Sequence, residues 1–244
     1  MKYFIITGTS RGLGEAIAEN LISPDHHLIC ISRNKNETLI SSSNHMDYFE
    51  FDLNNVDNIE NMMEQVFSRI DVRNAEKIYL VNNAAVISPL CRIEESSTQE
   101  LIHNLHINLL APILLISFFI RFSQYFQIER RVLNISSMSA KNLIPGMSVY
   151  SAAKSGLDVF SKCVGTEQGD DSSSVKVISV WPGMIDTSLQ EEARDANSSS
   201  FASADIFKRA KERGMLASPA TVAKKLIALL LGDQFVQGSV IEEL

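Results

Sequence analysis

This sequence of 244 residues has few cysteines, no excess of basic residues and no long uninterrupted hydrophobic run. Its three cysteines, Cys30, Cys91 and Cys163, lie too far apart to suggest a metal site or a redox motif. An odd number of cysteines also suits a disulfide framework poorly, which favours a reducing, cytoplasmic environment. The sequence has 22 Lys and Arg residues and 29 Asp and Glu residues, which gives a net charge of −7. This negative charge argues against a nucleic-acid partner.

The hydrophobic runs are too short for a membrane segment. The longest one, residues 109–120, falls well short of the roughly 20 residues that span a bilayer. The apolar run after Met1 ends at Gly8, which is too short for a signal peptide. We therefore expect no membrane partner, and we expect residues 109–120 to form a helix buried against a sheet or a second subunit.

Short runs of β-branched and aromatic residues alternate with segments of helical periodicity. We predict strands at residues 3–7, 28–32, 48–51, 78–81, 132–136, 175–180 and 239–241. Predicted helices include residues 12–21, 56–70, 100–119, 151–166 and 220–231. This alternation predicts an α/β fold of the Rossmann type: a doubly wound, mostly parallel, seven-stranded sheet with helices on both faces. We expect one domain over residues 1–244.

Residues 190–214 are the one irregular region, with an Asn-Ser-Ser-Ser run among mixed charges. They follow a predicted strand and a Pro-Gly pair, so they leave the carboxyl edge of the sheet, where ligands bind in such folds. A surface loop with a short helix is the simplest interpretation. Their position favours a loop that covers substrate, spanning about residues 186–216.

A glycine-rich turn follows the first predicted strand and opens the first helix. Glycines permit a tight turn and close backbone approach, and the free N–H groups of a helix N-terminus bind anions. The spacing is G-x-x-x-G-x-G, and its position suits the pyrophosphate of a dinucleotide. The residues that we expect to hold the cofactor here are Gly8, Ser10, Arg11, Gly12, Leu13 and Gly14.

The end of the second predicted strand lacks an acidic residue. Folds that prefer NAD place a carboxylate there to bind the ribose 2′-hydroxyl. This sequence has Ser32 and then Arg33, and Arg33 together with Arg11 suits a 2′-phosphate through charge-assisted hydrogen bonds. The pattern predicts NADP(H) as the cofactor.

Three polar residues in the second half suit acid–base chemistry on a carbonyl group. Tyr150 and Lys154 are four residues apart, so they share one face of a helix. A neighbouring ammonium group favours a phenolate and lowers the pKa of a tyrosine from about 10. Ser137 precedes them at the end of a predicted strand and is expected to align the carbonyl oxygen.

With these motifs in order, the chain resembles the short-chain dehydrogenase/reductase family over essentially its whole length. Further matches are Asp52, the Asn-Asn-Ala-Ala run that includes Asn83, Asn108, and the run from Pro182 to Thr187. Within the family, the segments around the glycine turn, Asn108 and Pro182 resemble those of bacterial (S)-benzil reductases, which are similar to sepiapterin reductases. One departure is Ala85, where the family usually has glycine.

The resemblance implies a role for each matching residue. Tyr150 would donate a proton to the carbonyl oxygen, Lys154 would lower the tyrosine pKa and bind the nicotinamide ribose, and Ser137 would hydrogen-bond the same oxygen. Asn108 would hold a water that links Lys154 to solvent. The implied cofactor contacts are Asp52, Leu53, Asn83, Ala84, Ala85, Tyr150, Lys154, Pro182, Gly183, Ile185 and Thr187.

These implications favour an NADPH-dependent carbonyl reductase that acts on small hydrophobic ketones or diketones of the benzil type. A pterin-type carbonyl reductase is one alternative, and a regulator that senses NADP(H) without catalysis is another. No metal ligand set is expected. Met138, Met147, Met184 and Met215 lie near the motifs and either line an apolar substrate pocket or fill the core. A homodimer or homotetramer is expected.

Overall fold

The computed structural model describes residues 1–244 and contains one sheet of seven parallel strands. The strands are β1 (Lys2–Thr7), β2 (His26–Ser32), β3 (Met46–Glu50), β4 (Lys77–Asn82), β5 (Glu129–Ile135), β6 (Val175–Val180) and β7 (Val240–Ile241). Their order across the sheet is β3-β2-β1-β4-β5-β6-β7. All seven predicted strands are present, and the predicted doubly wound Rossmann-type fold is confirmed.

Nine α-helices connect the strands and cover both faces of the sheet. They are α1 (Gly12–Asn20), α2 (Glu37–Ser41), α3 (Ile59–Phe67), α4 (Thr98–Leu105), α5 (Ala111–Ser123), α6 (Ser148–Gln168), α7 (Ser188–Asp195), α8 (Ala204–Glu212) and α9 (Pro219–Leu231). One core of 23 buried residues packs α3 and α5 against the sheet, and a second of 22 packs α1 and α9 against the other face. The central strands β1, β4 and β5 are buried at every position but the first, because both faces of the sheet are covered.

The chain order reverses between β1 and β4, which are neighbours at the centre of the sheet. Adjacent carboxyl strand ends at such a switch point form a crevice in open parallel sheets. The turn after β1 and the segment after β4 therefore lie side by side, and the turns after β2 and β5 flank them. The fold places four of the predicted motifs at one edge of the sheet.

The predicted helix at residues 100–119 is interrupted. A capping box at Ser97 and Glu100 starts α4, and a π-helical segment, His106–Leu110, joins α4 to α5. Together they form a helical run, Thr98–Ser123, that by length and composition would suffice to cross a membrane. Leu115, Ile116 and Phe119 are fully buried in the core, so its packing is that of a core helix.

Residues 190–214 are more regular than the expected surface loop with one short helix. The region folds into α7 and α8, separated by a turn. Both helices are short and rich in charged residues, and each buries only a narrow strip, which is why their periodicity is hard to read from the sequence. Their buried residues form a small third cluster with Tyr150; its other members are Ile87, Met147, Ala193, Phe201, Ala204 and Phe207.

Candidate active site

The glycine-rich turn packs directly against the segment that follows β4. Gly8 has a φ of +75°, and a Cβ there would lie 2.9 Å from the Ala84 Cα. A Cβ on Gly14 would overlap the carbonyl oxygen of Gly8. Gly12 also has a positive φ, +68°. The turn therefore brings the N-terminus of α1, with its free N–H groups, to the edge of a cavity at the switch point.

Hydrogen bonds hold the β4 segment to the end of β1. The Thr7 hydroxyl accepts from the backbone N–H groups of Asn83 and Ala84, at 3.0 and 3.1 Å. The Asn83 side chain donates to the carbonyl oxygens of Thr7 and Gly8. Ala85 lines the same cavity, and no residue other than glycine has a positive φ. Alanine is therefore accommodated where the family usually has glycine.

Positively charged side chains surround the end of β2. Arg11 and Arg33 are both exposed and both line the cavity. Lys35, which the sequence analysis did not single out, lines it too. The hydroxyls of Ser32 and Tyr48 both donate to the carbonyl oxygen of Asn34, which shapes the turn that carries these cations. No carboxylate occupies the first positions after β2, so the local charge is positive.

Helix α6 carries Tyr150 and Lys154 on one face, and both side chains are buried. The Lys154 ammonium lies 5.8 Å from the centre of the Tyr150 ring and donates to the carbonyl oxygen of Ile135, 2.9 Å away. Ile135 ends β5, so this hydrogen bond joins α6 to the strand that leads to Ser137. The spacing read from the sequence therefore places the phenol and the ammonium side by side.

The protonation of these two groups differs from the expectation. Burial raises the pKa of Tyr150 to about 12, and the nearby Ser137 hydroxyl opposes this rise. Burial lowers the pKa of Lys154 to about 8, and the charge of Asp158 opposes that shift. The expected lowering of the tyrosine pKa by the lysine is thus wrong for the protein alone, because desolvation is the larger effect. At neutral pH the phenol keeps its proton.

Ser137 ends the extended stretch after β5 and caps a short 3-10 turn. Its Oγ accepts from the backbone N–H of Ser139, at 3.2 Å, and from the Ser139 hydroxyl, at 3.0 Å. These two donors fix the position of the oxygen at the cavity wall and leave its own proton free to donate. Ser136, its neighbour, instead donates to the carbonyl oxygen of Lys154, so Ser137 is the serine that faces the cavity with a free donor.

Asn108 lies in the π-helical segment and is fully buried. Its amide accepts from the Val86 N–H, at 3.2 Å, and donates to the Val86 carbonyl, at 2.7 Å. Asn104, which the sequence analysis did not identify, accepts from Asn108 and donates to the Ser88 carbonyl. The two amides therefore hold the segment after β4 in place. The sequence does contain a signal for Asn104, because two asparagines four residues apart share one face of a helix.

The segment after β6 closes the cavity from the opposite side. Gly183 has a φ of +79° and open space where a Cβ would lie, and Ile185 pairs in a parallel bridge with Ala217. The Cβ that Gly12 lacks would lie 3.5 Å from the Thr187 methyl carbon, so the glycine turn and this segment face each other. A ligand in the cavity would contact both.

The far end of the cavity has mostly apolar walls. Met138 and Met147 line it, and Met184 lines the cavity within the segment after β6, whereas Met215 is 61% exposed and lines no part of the cavity. The other wall residues belong to none of the sequence motifs, because they come from α7, α8 and two loops. These are Ile87, Ile144, Leu189, Gln190, Glu192 and Phe207.

The cavity has a volume of about 540 Å³ and contains nearly all predicted site residues. Only Gly14 and Asn108 do not line it: Gly14 packs beneath the turn, and Asn108 lies behind Val86. The predicted cofactor contacts come from the turns after β1, β2, β3, β4 and β6 and from α6, and Tyr150 packs in one buried cluster with the apolar residues Ile87, Met147 and Phe207. Such a site suits a dinucleotide beside a small organic substrate.

Comparisons with known proteins agree with this geometry. A family model described as short chain dehydrogenase matches residues 2–198. The chain is 38% identical to a benzil reductase ((S)-benzoin forming) of Bacillus cereus, covering 99% of this chain and 98% of that one. It is 26% identical to the sepiapterin reductase of Rattus norvegicus, covering 96% and 93%.

Solved structures show the same fold. The crystal structure of the KRED1-Pglu enzyme is similar with a TM-score of 0.85 and 21% identity, covering 99% of this chain and all of that one. The family match covers most of the chain, and the full-length relative exceeds one third identity. The chain therefore belongs to the short-chain dehydrogenase/reductase family, whose members are oxidoreductases that act on C=O and CH–OH groups with a nicotinamide cofactor.

Proposed function

We propose that this protein is an NADPH-dependent carbonyl reductase that acts on small hydrophobic ketones or diketones, with Tyr150 as the proton donor. The observation that carries the proposal is the position of Tyr150 and Ser137 in the cavity that the glycine turn opens. A bound nicotinamide supplies the hydride in such chemistry. The side chains of this chain must then bind the carbonyl oxygen and protonate it.

Tyr150 suits the role of proton donor. Its pKa of about 12 keeps the phenol protonated at neutral pH, so the proton is available when negative charge develops on the carbonyl oxygen. Ser137 has a free hydroxyl proton beside it, and two donors on one oxygen stabilise that charge. Burial of the site strengthens both interactions, because few waters compete for the oxygen.

Lys154 suits the role of a fixed positive charge. Its ammonium is held by the Ile135 carbonyl and uses only one of its three donors there. The remaining donors can reach a ribose hydroxyl and stabilise the phenolate that is left after proton transfer. Since Asn108 holds Val86 from behind the site, we propose that it also orders the water that returns a proton through Lys154.

The charges at the end of β2 support a preference for NADP(H). Arg11, Arg33 and Lys35 supply three cations at the position where NAD-specific enzymes place a carboxylate. A ribose 2′-phosphate would receive charge-assisted hydrogen bonds from them. We propose that Asp52 and Leu53 contact the adenine and that the Asn83–Ala85 backbone lines the ribose.

The apolar end of the cavity and the names of the relatives support the proposed substrate class. Ile87, Met147 and Phe207 present apolar surface next to Tyr150 in one buried cluster. The full-length relatives called benzil reductases support a carbonyl reductase that accepts aromatic ketones. Helices α7 and α8 supply part of this wall, and we propose that residues 186–216 cover the substrate.

The test is a screen that follows NADPH and NADH absorbance with benzil, simple aryl ketones and a pterin carbonyl. We expect NADPH to be consumed with benzil and slower turnover with NADH. Faster turnover of the pterin would favour the second candidate, to which the relatives called sepiapterin reductases point. NADP(H) binding without turnover of any carbonyl would favour a sensing regulator and refute the proposal.

We further propose a cytoplasmic homodimer or homotetramer. Ile102, Leu105 and Val159 are apolar and exposed on α4 and α6, next to the apolar run around residues 105–119. A second copy would cover this surface and gain free energy from its burial. Light scattering of the purified chain tests the assembly, and a monomer at micromolar concentration would contradict it.

A further inference from the structure

One buried carboxylate next to the site has no part in the proposed mechanism. Asp158 is only 7% exposed and lies on α6, four residues after Lys154 and eight after Tyr150. Residues four apart lie on the same face of a helix, so Tyr150, Lys154 and Asp158 follow one another at successive turns. Carboxylates are rarely buried to this extent without specific partners, so we expect Asp158 to be held by nearby hydrogen-bond donors or charges.

Asp158 has two neutral partners, both on the β6 side of the site. Its Oδ1 accepts from the Ser179 hydroxyl at 2.5 Å, and its Oδ2 accepts from the Trp181 indole N–H at 2.9 Å. Hydrogen bonds to a carboxylate are among the stronger ones and offset the cost of its burial. Both oxygens are thereby fixed in place.

Lys154 and Asp158 do not form an ion pair within 4 Å. The ammonium donates to the Ile135 carbonyl, and the carboxylate accepts from Ser179 and Trp181. Their charges therefore interact through space across one helical turn. A direct ion pair would draw the ammonium towards Asp158, whereas this arrangement leaves it beside the Tyr150 ring. The carboxylate supports the charge of Lys154 without taking its donors.

The same hydrogen bonds connect the catalytic helix to the cofactor segment. Trp181 directly follows β6 and directly precedes Pro182, where the segment that lines the cavity begins. Its backbone N–H donates to the Ile241 carbonyl, which fixes the residue at the sheet edge. The Trp181 indole therefore links α6, one turn below Lys154, to the start of that segment.

We propose that Asp158 is a positioning residue of this site: its carboxylate keeps the Lys154 ammonium charged and fixes α6 against the segment after β6. The inference rests on the proposed function of Lys154. Its physical basis is the shared helix face, the two fixed carboxylate oxygens and the absence of any other counter-charge near the ammonium. Burial lowers the pKa of Lys154 and the charge of Asp158 raises it, which agrees with this role of Asp158.

Few other charged groups face this pair. Around the ammonium, α6 contributes Tyr150 and Asp158, and the end of β5 contributes the Ile135 carbonyl and the Ser137 hydroxyl. On the far side of Trp181, Lys141 lies 5.9 Å from the indole ring and pairs with Glu242 at 2.8 Å. That exposed pair is neutral overall and adds little field at the ammonium. Asp158 is therefore the one buried negative charge next to Lys154.

The test is Asp158→Asn, which keeps the size and an acceptor for the indole but removes the charge. The Lys154 titration is followed in the ligand-free protein by NMR of lysines labelled with 13C at the ε carbon, with Lys154→Arg used for assignment. We expect the Lys154 pKa to fall by about one unit, because the charges lie about one helical turn apart. The alkaline limb of the kcat/KM profile should move to lower pH by the same amount.

Glu167→Gln is the matched control, since it removes an exposed carboxylate from the same helix. It should change neither measurement, and Asp158→Glu should restore most of the wild-type profile. An unchanged Lys154 titration in Asp158→Asn would overturn the inference. A shifted titration with an unmoved activity profile would support the link to Lys154 and refute the role of Lys154 in turnover.

Should Asp158→Asn fail to fold, Asp158→Ser decides. It also removes the charge but keeps a hydroxyl at this position, so we expect the Lys154 pKa to fall as in Asp158→Asn. A Lys154 titration identical to that of the wild type in this variant would overturn the inference as well.

Discussion

Tyr150→Phe removes one oxygen from the cavity and leaves the aromatic ring in place. The ring is buried with Ile87, Met147 and Phe207, and this packing does not depend on the hydroxyl. The free energy of unfolding should therefore change by less than about 1 kcal/mol, as for one lost hydrogen bond. A loss of activity in a folded variant would then report on chemistry alone.

The expected loss of turnover is large. A positioned general acid contributes roughly a hundredfold to ten-thousandfold to a rate. Ser137 would remain to hydrogen-bond the carbonyl oxygen, but a serine hydroxyl is a much weaker acid than a phenol and would not replace it as the proton donor. We expect kcat to fall by about a thousandfold or more, equivalent to about 4 kcal/mol. The affinity for NADPH should change by less than about fivefold.

The assay compares NADPH consumption with benzil in the wild type, in Tyr150→Phe and in Tyr125→Phe. Tyr125 is 82% exposed and does not line the cavity, so its variant controls for the loss of a phenol in general. Calorimetry with NADPH and a thermal melt show whether the variant binds cofactor and folds. Turnover of Tyr150→Phe within about tenfold of the wild type would refute Tyr150 as the proton donor.

Three further predictions concern the cofactor end and the protonation of the site. Arg33→Ala should raise KM for NADPH by about tenfold or more and leave KM for NADH nearly unchanged, because a charge-assisted hydrogen bond contributes about 1.5–3 kcal/mol. Equal effects on the two KM values would contradict the NADP(H) assignment. The kcat/KM should fall as pH rises through about 8, because Lys154 loses its proton there while the pKa of Tyr150 lies near 12; a profile that is flat to pH 9 would disagree. Gly14→Ala should weaken NADPH binding and lower Tm, because the new Cβ overlaps the Gly8 carbonyl. Gly156→Ala, which meets only the flexible Leu109 side chain, is its milder control; equal effects of the two variants would argue against steric strain at the turn.

The sequence alone determined the strands, the order of the motifs and the family. The predicted strands at the centre of the sheet are short runs rich in β-branched and aromatic residues, and such runs are recognisable because central parallel strands are buried on both faces. The glycine turn and the Tyr150–Lys154 spacing are local features, so the chain carries them without reference to distant residues. Their convergence on one sheet edge follows from the parallel topology.

Only the tertiary structure decided the substrate end of the cavity and the protonation of the site. Residues 190–214 fold into two helices whose buried strips exist because Tyr150 and Ile87 offer them a surface. The pKa values of Tyr150 and Lys154 depend on burial, which is a property of the packed fold and not of helical spacing. Asp158 likewise shows its connection to Trp181 only once β6 lies beside α6. The local sequence pattern therefore identified the catalytic groups. Contacts between distant segments determine how deeply those groups are buried and thereby set their pKa values.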